Sequence, residues 1–202
     1  MTSIVLAGGK SLRLGREKAL EKLDGQSLVE RVITRLSRLG GQIILVTATE
    51  EQALLPHLKV KRVLDVLPGK GALGGLYSGL KAASTHYCLV VACDMPFLNV
   101  ALLQYLMKLS PGFDAVIPRL GGRLQPLHAI YSKDCLGPIE AMLEECNIKV
   151  TDLAARVKTR YVEDKDIATF DREHLSFFNI NSESDLERAR ALLDRERALS
   201  SK

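Results

Sequence analysis

The feature that most constrains the fold is an alternation of short apolar runs with longer stretches of helical periodicity. The apolar runs, rich in Val, Ile and Leu, predict strands at 4–7, 43–46, 60–65, 87–92, 115–117, 127–131 and 159–162. Helical spacing predicts helices over 27–39, 100–109 and 133–145, one that follows the Gly-rich turn 68–75 and reaches residue 84, and a last one from 182. Such alternation indicates an α/β fold with a mostly parallel sheet covered by helices on both faces.

Length and composition limit the class of protein. A chain of 202 residues suits one domain, predicted here as 1–202. No apolar run approaches the ~20 residues of a membrane span, and the start of the chain is unlike a signal or transit peptide. The net charge of +4 and the absence of Trp argue against a nucleic-acid groove. We therefore expect neither a membrane nor a nucleic-acid partner.

The cysteines indicate the redox compartment. Cys88, Cys93, Cys135 and Cys146 include no CxxC pair, and two of them lie in or beside an apolar run. We expect reduced thiols in a cytoplasmic protein.

In parallel sheets, ligands bind beyond the carboxyl ends of the strands, so the residues that follow each strand are the candidates. The loop 6–18 places two glycines after the first strand, where backbone N–H groups can approach an anion. Four cations follow within nine residues, as a triphosphate would need: Lys10, Arg13, Arg16 and Lys18. The alternative is a solvated basic loop. The loop is not a Walker A motif, because that motif needs a glycine where Ile4 stands.

A second Gly-rich stretch, Gly69-Lys70-Gly71-Ala72-Leu73-Gly74, matches the dinucleotide-binding pattern GxGxxG. It would form the third βα turn rather than the first, which counts against that interpretation. The alternatives are a loop that closes over a nucleotide or its acceptor, and simple turn glycines.

Two aspartates follow predicted strands. Asp94, directly after a buried run, could hold Mg²⁺ together with substrate phosphates, or it could cap a turn before Pro96. Asp65 could accept hydrogen bonds from ribose hydroxyls or cap the next segment. The stretch 123–131 could line an acceptor pocket, although an ordinary strand with outward polar residues is favoured. His57, His86 and His174 show no metal spacing, and no nucleophile elbow is present.

Taken together and in order, these motifs resemble the molybdenum cofactor guanylyltransferases over nearly the whole chain. The resemblance rests on Leu6-Ala7-Gly8-Gly9 with Arg13, Gly15 and Lys18, on Cys93-Asp94-Met95-Pro96, on Gln125-Pro126-Leu127 with Tyr131, and on Phe178-Asn179-Ile180-Asn181. The chain departs from the family pattern at four positions: Leu14 replaces Met, Glu17 replaces Asp, Ala72 replaces Pro, and Thr47 stands where some members carry Asn.

The resemblance implies a three-layer α/β/α sandwich of the nucleotide-diphospho-sugar transferase type. It implies a Mg²⁺-dependent transfer of GMP from GTP to the molybdenum–molybdopterin cofactor with release of pyrophosphate, and molybdoenzyme maturation proteins as partners. By motif match, the nucleotide contacts are Leu6, Ala7, Gly8, Lys18, Asp65 and Asp94. Arg13, Lys18 and Asp94 would act in catalysis, Asp94 would hold the metal, and Gln125 and Asn181 would border the acceptor.

Three alternatives remain open at this point. The first is a nucleotidyltransferase that uses CTP, or one that acts on a sugar or polyol phosphate. The second is an NAD-dependent oxidoreductase built on the stretch 69–74. The third is a non-catalytic carrier of molybdopterin.

Overall fold

The computed structural model describes residues 1–7, 18–49 and 58–200. The strands are β1 Thr2–Leu6, β2 Lys22–Leu23, β3 Gln26–Ser27, β4 Ile43–Thr47, β5 Lys61–Leu64, β6 Tyr87–Ala92, β7 Ala115–Leu120, β8 Arg123–Leu124, β9 His128–Ser132 and β10 Thr159–Glu163. The α-helices are α1 Leu28–Ser37, α2 Gly71–Ala82, α3 Val100–Lys108, α4 Leu136–Glu144, α5 Val150–Leu153, α6 Asp164–Ile167 and α7 Glu183–Ser200. The 3-10 helices are Lys18–Leu20, Lys133–Cys135 and Leu175–Phe177.

The main sheet has the strand order β10-β7-β9-β6-β1-β4-β5, with β8 paired to β7. β1 runs parallel to β4 and β6, and the pairs β4–β5 and β7–β10 are also parallel. Only β9, among the strands in that order, runs antiparallel to its neighbours β6 and β7. The mostly parallel sheet predicted from the sequence is therefore confirmed.

Helices cover both faces of the sheet. Successive side chains of a strand point to opposite sides, so each central strand packs against helices on both faces. On one face Val5 and Leu45 pack with the apolar sides of α1 and α3. On the other face Ile4, Leu6 and Val46 pack with α2 and α4. The three-layer α/β/α arrangement is confirmed, and it explains why the strand runs are apolar without alternation.

The helices α1 and α7 both begin with side-chain caps. Ser27 Oγ accepts a hydrogen bond of 3.3 Å from the Glu30 backbone N–H, and the Glu30 carboxylate accepts one of 2.7 Å from the Ser27 N–H. This capping box fixes the start of α1. At the start of α7, Ser182 Oγ accepts from the Asp185 N–H at 3.2 Å.

The structure adds details that periodicity did not predict. The two-residue pair β2–β3 and the short β8 are too brief to give a pattern. The predicted helix 133–145 divides into the 3-10 helix Lys133–Cys135 and α4. None of the four cysteines, all of which lie within the described ranges, forms a disulfide, and Cys146 is the exposed one. No helix in the described ranges is long and apolar enough to cross a membrane.

Candidate active site at the carboxyl edge of the sheet

The carboxyl ends of the central parallel strands lie side by side. The backbone N–H of Ala7, just after β1, donates to the carbonyl of Val46 at 2.9 Å. The N–H of Cys93, just after β6, donates to the carbonyl of Leu6 at 3.1 Å. Ala7 therefore lies beside the turn that carries Asp94.

Asp94 lies in the turn that follows β6, and only 9% of its surface is exposed. The N-cap of α3 is Asn99, whose Oδ1 accepts from the Leu102 N–H at 3.0 Å, so Asp94 does not cap that helix. The carbonyl of Asp94 accepts a hydrogen bond of 3.0 Å from the Ile180 N–H. The structure thus places a buried carboxylate at the sheet edge, next to a segment from near the C-terminus.

Asp65 follows β5, and its backbone N–H donates to the carbonyl of Thr47 at 2.8 Å. Its Oδ1 accepts two hydrogen bonds, one from the Leu67 N–H at 3.0 Å and one from the Ser78 hydroxyl at 2.8 Å. Among the described residues, Oδ2 accepts none. Asp65 therefore caps its own turn with one oxygen and keeps the other available for a hydroxyl group.

Backbone conformation and close packing explain why glycines occupy three positions in the stretch 69–74. Gly69, in the turn before α2, and Gly71, the first residue of α2, have φ of +85° and +59°, which favour glycine at both positions. At Gly74 a Cβ would lie 2.7 Å from the carbonyl oxygen of Leu67 and 3.2 Å from Asp65 Oδ2. This stretch follows β5, which is an edge strand. The dinucleotide interpretation is wrong, because that fingerprint belongs to the first βα turn of its fold.

Gln125 and Asn181, which were predicted to border the acceptor, lie on two segments that reach this edge. Gln125 is half-buried, and its N–H donates to the carbonyl of Pro118 at 2.9 Å. Two residues later the carbonyl of Leu127 accepts from the Ala92 N–H at 3.1 Å. Asn181 is exposed and directly follows Ile180, which bonds to the Asp94 turn.

The hairpin of β7 and β8, which precedes Gln125, is fastened by polar contacts. The Arg119 guanidinium bonds to both carboxylate oxygens of Glu163 at 3.1 and 2.5 Å, and this contact raises the pKa of Arg119. The Gly121 N–H donates to the Asp164 carboxylate at 3.0 Å. Exposed pairs of this kind contribute little stability, so their effect is to set the position of the hairpin.

His128 departs from the expectation of an ordinary strand with outward polar residues. It is fully buried at the start of β9, opposite Val91, and its ring lies 4.4 Å from that of Phe177. Neither ring nitrogen has a hydrogen-bond partner within the part of the chain described. Burial without a partner disfavours the imidazolium and lowers the pKa of His128 to about 3. The imidazole is therefore neutral at ordinary pH.

Some candidate residues fall outside the described ranges, among them Gly8, Arg13 and His57. Lys18 begins the 3-10 helix Lys18–Leu20. The side chains of Leu6 and Ala7 are buried in the sheet, so any ligand contact there must come from main-chain groups. No three His, Cys, Asp or Glu side chains within 1–7, 18–49 and 58–200 form a metal-binding group by themselves.

Comparisons with known proteins agree with this architecture. Residues 3–160 match the family model of the MobA-like NTP transferase domain. A probable molybdenum cofactor guanylyltransferase of Pelotomaculum thermopropionicum is 39% identical over 196 residues, which cover 97% of this chain and 95% of that protein.

Two solved structures are also similar. The molybdopterin-guanine dinucleotide biosynthesis protein A of Archaeoglobus fulgidus superposes with a TM-score of 0.85 at 31% identity, covering 96% of this chain and 100% of that chain. The 4-diphosphocytidyl-2C-methyl-D-erythritol synthase of Anaerococcus prevotii superposes with a TM-score of 0.75 at 17% identity, covering 96% and 95%. The second similarity concerns the fold alone.

Proposed function

This chain belongs to the MobA-like NTP transferase family and, within it, to the molybdenum cofactor guanylyltransferases, and from this premise we propose that it transfers GMP from GTP to the molybdenum–molybdopterin cofactor and releases pyrophosphate. The chain is a nucleotidyltransferase, so the oxidoreductase and carrier alternatives fall away. The proposal treats residues 1–202 as one nucleotidyltransferase domain.

One observation carries the proposal. The buried Asp94 lies two residues after the end of β6, in a turn that is joined to the end of β1 by the hydrogen bond from the Cys93 N–H to the Leu6 carbonyl. A triphosphate at this edge would meet the main chain of Leu6, Ala7 and Gly8 on one side and Asp94 on the other. Asp65, with Oδ2 available, supports a contact with the hydroxyls of the nucleoside.

Nucleotidyltransferases generally use a divalent metal ion, and we propose Mg²⁺. The donor set fits: Asp94 offers hard carboxylate oxygens, and Mg²⁺ is commonly held by one or two carboxylates plus substrate phosphates. When bound, the ion would supply Lewis-acid stabilisation of charge on the phosphates.

The proposed reaction forms one bond and breaks one. A phosphate oxygen of the acceptor attacks the α-phosphorus of GTP, and the bond between that phosphorus and the oxygen bridging to the β-phosphorus breaks. The electron pair leaves with pyrophosphate, whose charge Arg13 and Lys18 would stabilise. Because the attacking phosphate is already ionised at neutral pH, no strong general base is needed. Positioning by the protein therefore contributes most of the rate.

The acceptor would bind between the segments of Gln125 and Asn181, which flank the Asp94 turn. We further propose that the enzyme acts in the cytoplasm, where cysteines that form no disulfide are usual, and that maturation proteins of molybdoenzymes receive its product.

A substrate panel tests the proposal. The purified chain is mixed with molybdenum–molybdopterin, Mg²⁺ and one of GTP, CTP, UTP or ATP, and pyrophosphate and the dinucleotide product are measured. We expect turnover with GTP and at most a small fraction of that rate with the other three. Turnover confined to CTP would overturn the guanylyl assignment and favour a cytidylyltransferase.

A further inference from the structure

The segment 171–181, which connects α6 to α7, touches both ends of the loop that carries Asp94. At one end the Ser176 hydroxyl oxygen accepts a hydrogen bond of 2.7 Å from the Asn99 N–H. At the other end the Ile180 N–H donates to the Asp94 carbonyl at 3.0 Å. The segment therefore brackets the loop 94–99, and all of it lies beyond the region 3–160 that matches the family model.

A buried carboxylate shapes this bracketing segment. Asp171 is buried, and its two carboxylate oxygens accept from the backbone N–H groups of Leu175 at 3.0 Å and Ser176 at 2.8 Å. Charge-assisted hydrogen bonds of this type are strong and directional. They hold the 3-10 helix Leu175–Phe177 in one orientation and thereby aim the Ser176 hydroxyl at Asn99.

Asn99 completes the connection from the side of α3. Its Nδ2 donates to the carbonyl of Phe170 at 2.8 Å, while its Oδ1 caps α3. The fully buried Ser176 has no solvent to replace the bond that it accepts from Asn99. Polar groups buried in this way specify one arrangement, because any other arrangement leaves them unpaired.

Apolar contacts seat the same segment on the sheet. Phe177 packs its ring against His128 of β9, and Ile180 is buried against α7 and Phe97. Asn179 and Asn181 lie on either side of Ile180, at the carboxyl edge of the sheet. The side chain of Asn179 is half-buried, and that of Asn181 is exposed. The apolar contacts attach the segment, whereas the polar contacts of Asp171 and Ser176 determine its register against the Asp94 loop.

We propose that Asp171 and Ser176 are positioning residues for the acceptor: they hold the Asn179–Asn181 stretch over the Asp94 turn, so that the acceptor phosphate is aligned with the α-phosphorus of GTP. This inference rests on the proposed function. Asp65, the proposed contact to the nucleoside, is instead held by hydrogen bonds to Ser78 of α2 and to Thr47 of β4. Loosening the bracketing segment should therefore affect the acceptor and spare GTP.

The test compares Ser176→Ala and Asp171→Asn with Ser110→Ala. Ser110 is a matched control, because it is a buried serine just beyond the other end of α3, with its hydroxyl bonded to the Met107 carbonyl at 2.8 Å. Steady-state kinetics give KM for molybdenum–molybdopterin, and calorimetry gives Kd for GTP. We expect the two bracket variants to raise the acceptor KM by about fivefold or more, since small misplacements cost large factors in rate and binding. GTP Kd should stay within about twofold in all three variants.

Two results would overturn the inference. One is an unchanged acceptor KM in variants whose melting temperature is lowered. That result would mean that the contacts of Asp171 and Ser176 only stabilise the fold. The other is a parallel rise of GTP Kd and acceptor KM. If Asp171→Asn does not fold, Ser176→Ala alone provides the test, because it removes only one oxygen atom. Its acceptor KM and GTP Kd are then compared with those of wild type and Ser110→Ala.

Failure of the proposed function would be visible separately, as a wild-type protein that transfers no GMP. In that case the binding of molybdenum–molybdopterin, measured through the fluorescence of this ligand, still tests the positioning role. Weaker binding by Ser176→Ala than by wild type and Ser110→Ala supports the positioning role, and equal binding overturns it.

Discussion

The hydroxyl of Ser78, a buried residue of α2, donates a hydrogen bond of 2.8 Å to Oδ1 of Asp65 and accepts one of 3.0 Å from the Val66 N–H. A helix on one face of the sheet thus holds the carboxylate that follows the edge strand β5. Sequence analysis missed Ser78, although it lies one helical turn after Gly74, on the same side of α2.

Ser78→Ala should weaken GTP binding without removing it. The variant leaves Oδ1 of Asp65 with one partner and frees the carboxylate to rotate away from the nucleoside. We expect the Kd for GTP, measured by calorimetry, to rise by about three- to tenfold, the equivalent of one hydrogen bond. Ser84→Ala is the matched control, because Ser84 is exposed just past α2 and bonds to Gln42. Equal affinities of the two variants would separate Ser78 from the nucleotide site.

Asp94→Ala should lower kcat for GMP transfer by about 10²-fold or more, because it removes the carboxylate proposed to hold the metal beside the reacting phosphates. Asp134→Ala provides the control, since Asp134 is an exposed carboxylate on the 3-10 helix that follows β9, away from Asp94. Undiminished turnover by Asp94→Ala at saturating Mg²⁺ would remove this residue from the mechanism.

His128 makes stability depend on pH. The folded state keeps the pKa of His128 at about 3 by burial, whereas the unfolded chain has the ordinary value near 6.5. Between these values the unfolded state binds more protons than the folded state. The free energy of unfolding therefore has its full value, as far as this group is concerned, above pH 6.5, and it decreases as the pH falls towards 3. Wild type should lose up to about 1.4 kcal/mol of unfolding free energy per pH unit within that window from this group.

His128→Leu removes the titrating group and keeps an apolar contact for Phe177. Urea denaturation at pH 7 and pH 5 should therefore show a smaller difference for the variant than for wild type. The same difference in both proteins would mean that other groups cause the acid sensitivity.

Close packing of α2 on β1 explains a glycine inside the helix. A Cβ at Gly79 would lie 2.5 Å from Cγ2 of Ile4, so Gly79→Ala should destabilise the protein by about 1–3 kcal/mol. At Gly137 of α4 a Cβ would meet nothing within 4 Å, and Gly137→Ala should be neutral or stabilising by up to about 1 kcal/mol. Thermal denaturation distinguishes the two, and a Gly79→Ala variant as stable as wild type would contradict this account of the interface.

The fold could be predicted because burial on both faces gives the central strands β1, β4 and β6 continuous apolar sequences. Val90 and Val91 point to opposite sides of the sheet and are both fully buried, so the strand appears in the sequence as one apolar run. The positions of Asp94 and Asp65 could be predicted because each residue follows a parallel strand, and ligands bind beyond the carboxyl ends of such strands.

Contacts between distant parts of the chain could not be predicted. Asn99 and Ser176 are 77 positions apart, and nothing local to either residue signals the bond between them. The burial of His128 was also unexpected, because a polar residue at the start of a strand usually faces solvent and the covering Phe177 comes from a later segment. The antiparallel direction of β9 likewise depends on pairing rather than on composition.

The most direct test of the central claim is a crystal structure of the chain with GTP and Mg²⁺. The account predicts that the triphosphate lies across the carboxyl ends of β1 and β6, with the metal on the carboxylate of Asp94 and the ribose hydroxyls at Asp65. A nucleotide bound elsewhere, such as along the opposite edge of the sheet with Asp94 free of metal and phosphate, would contradict it.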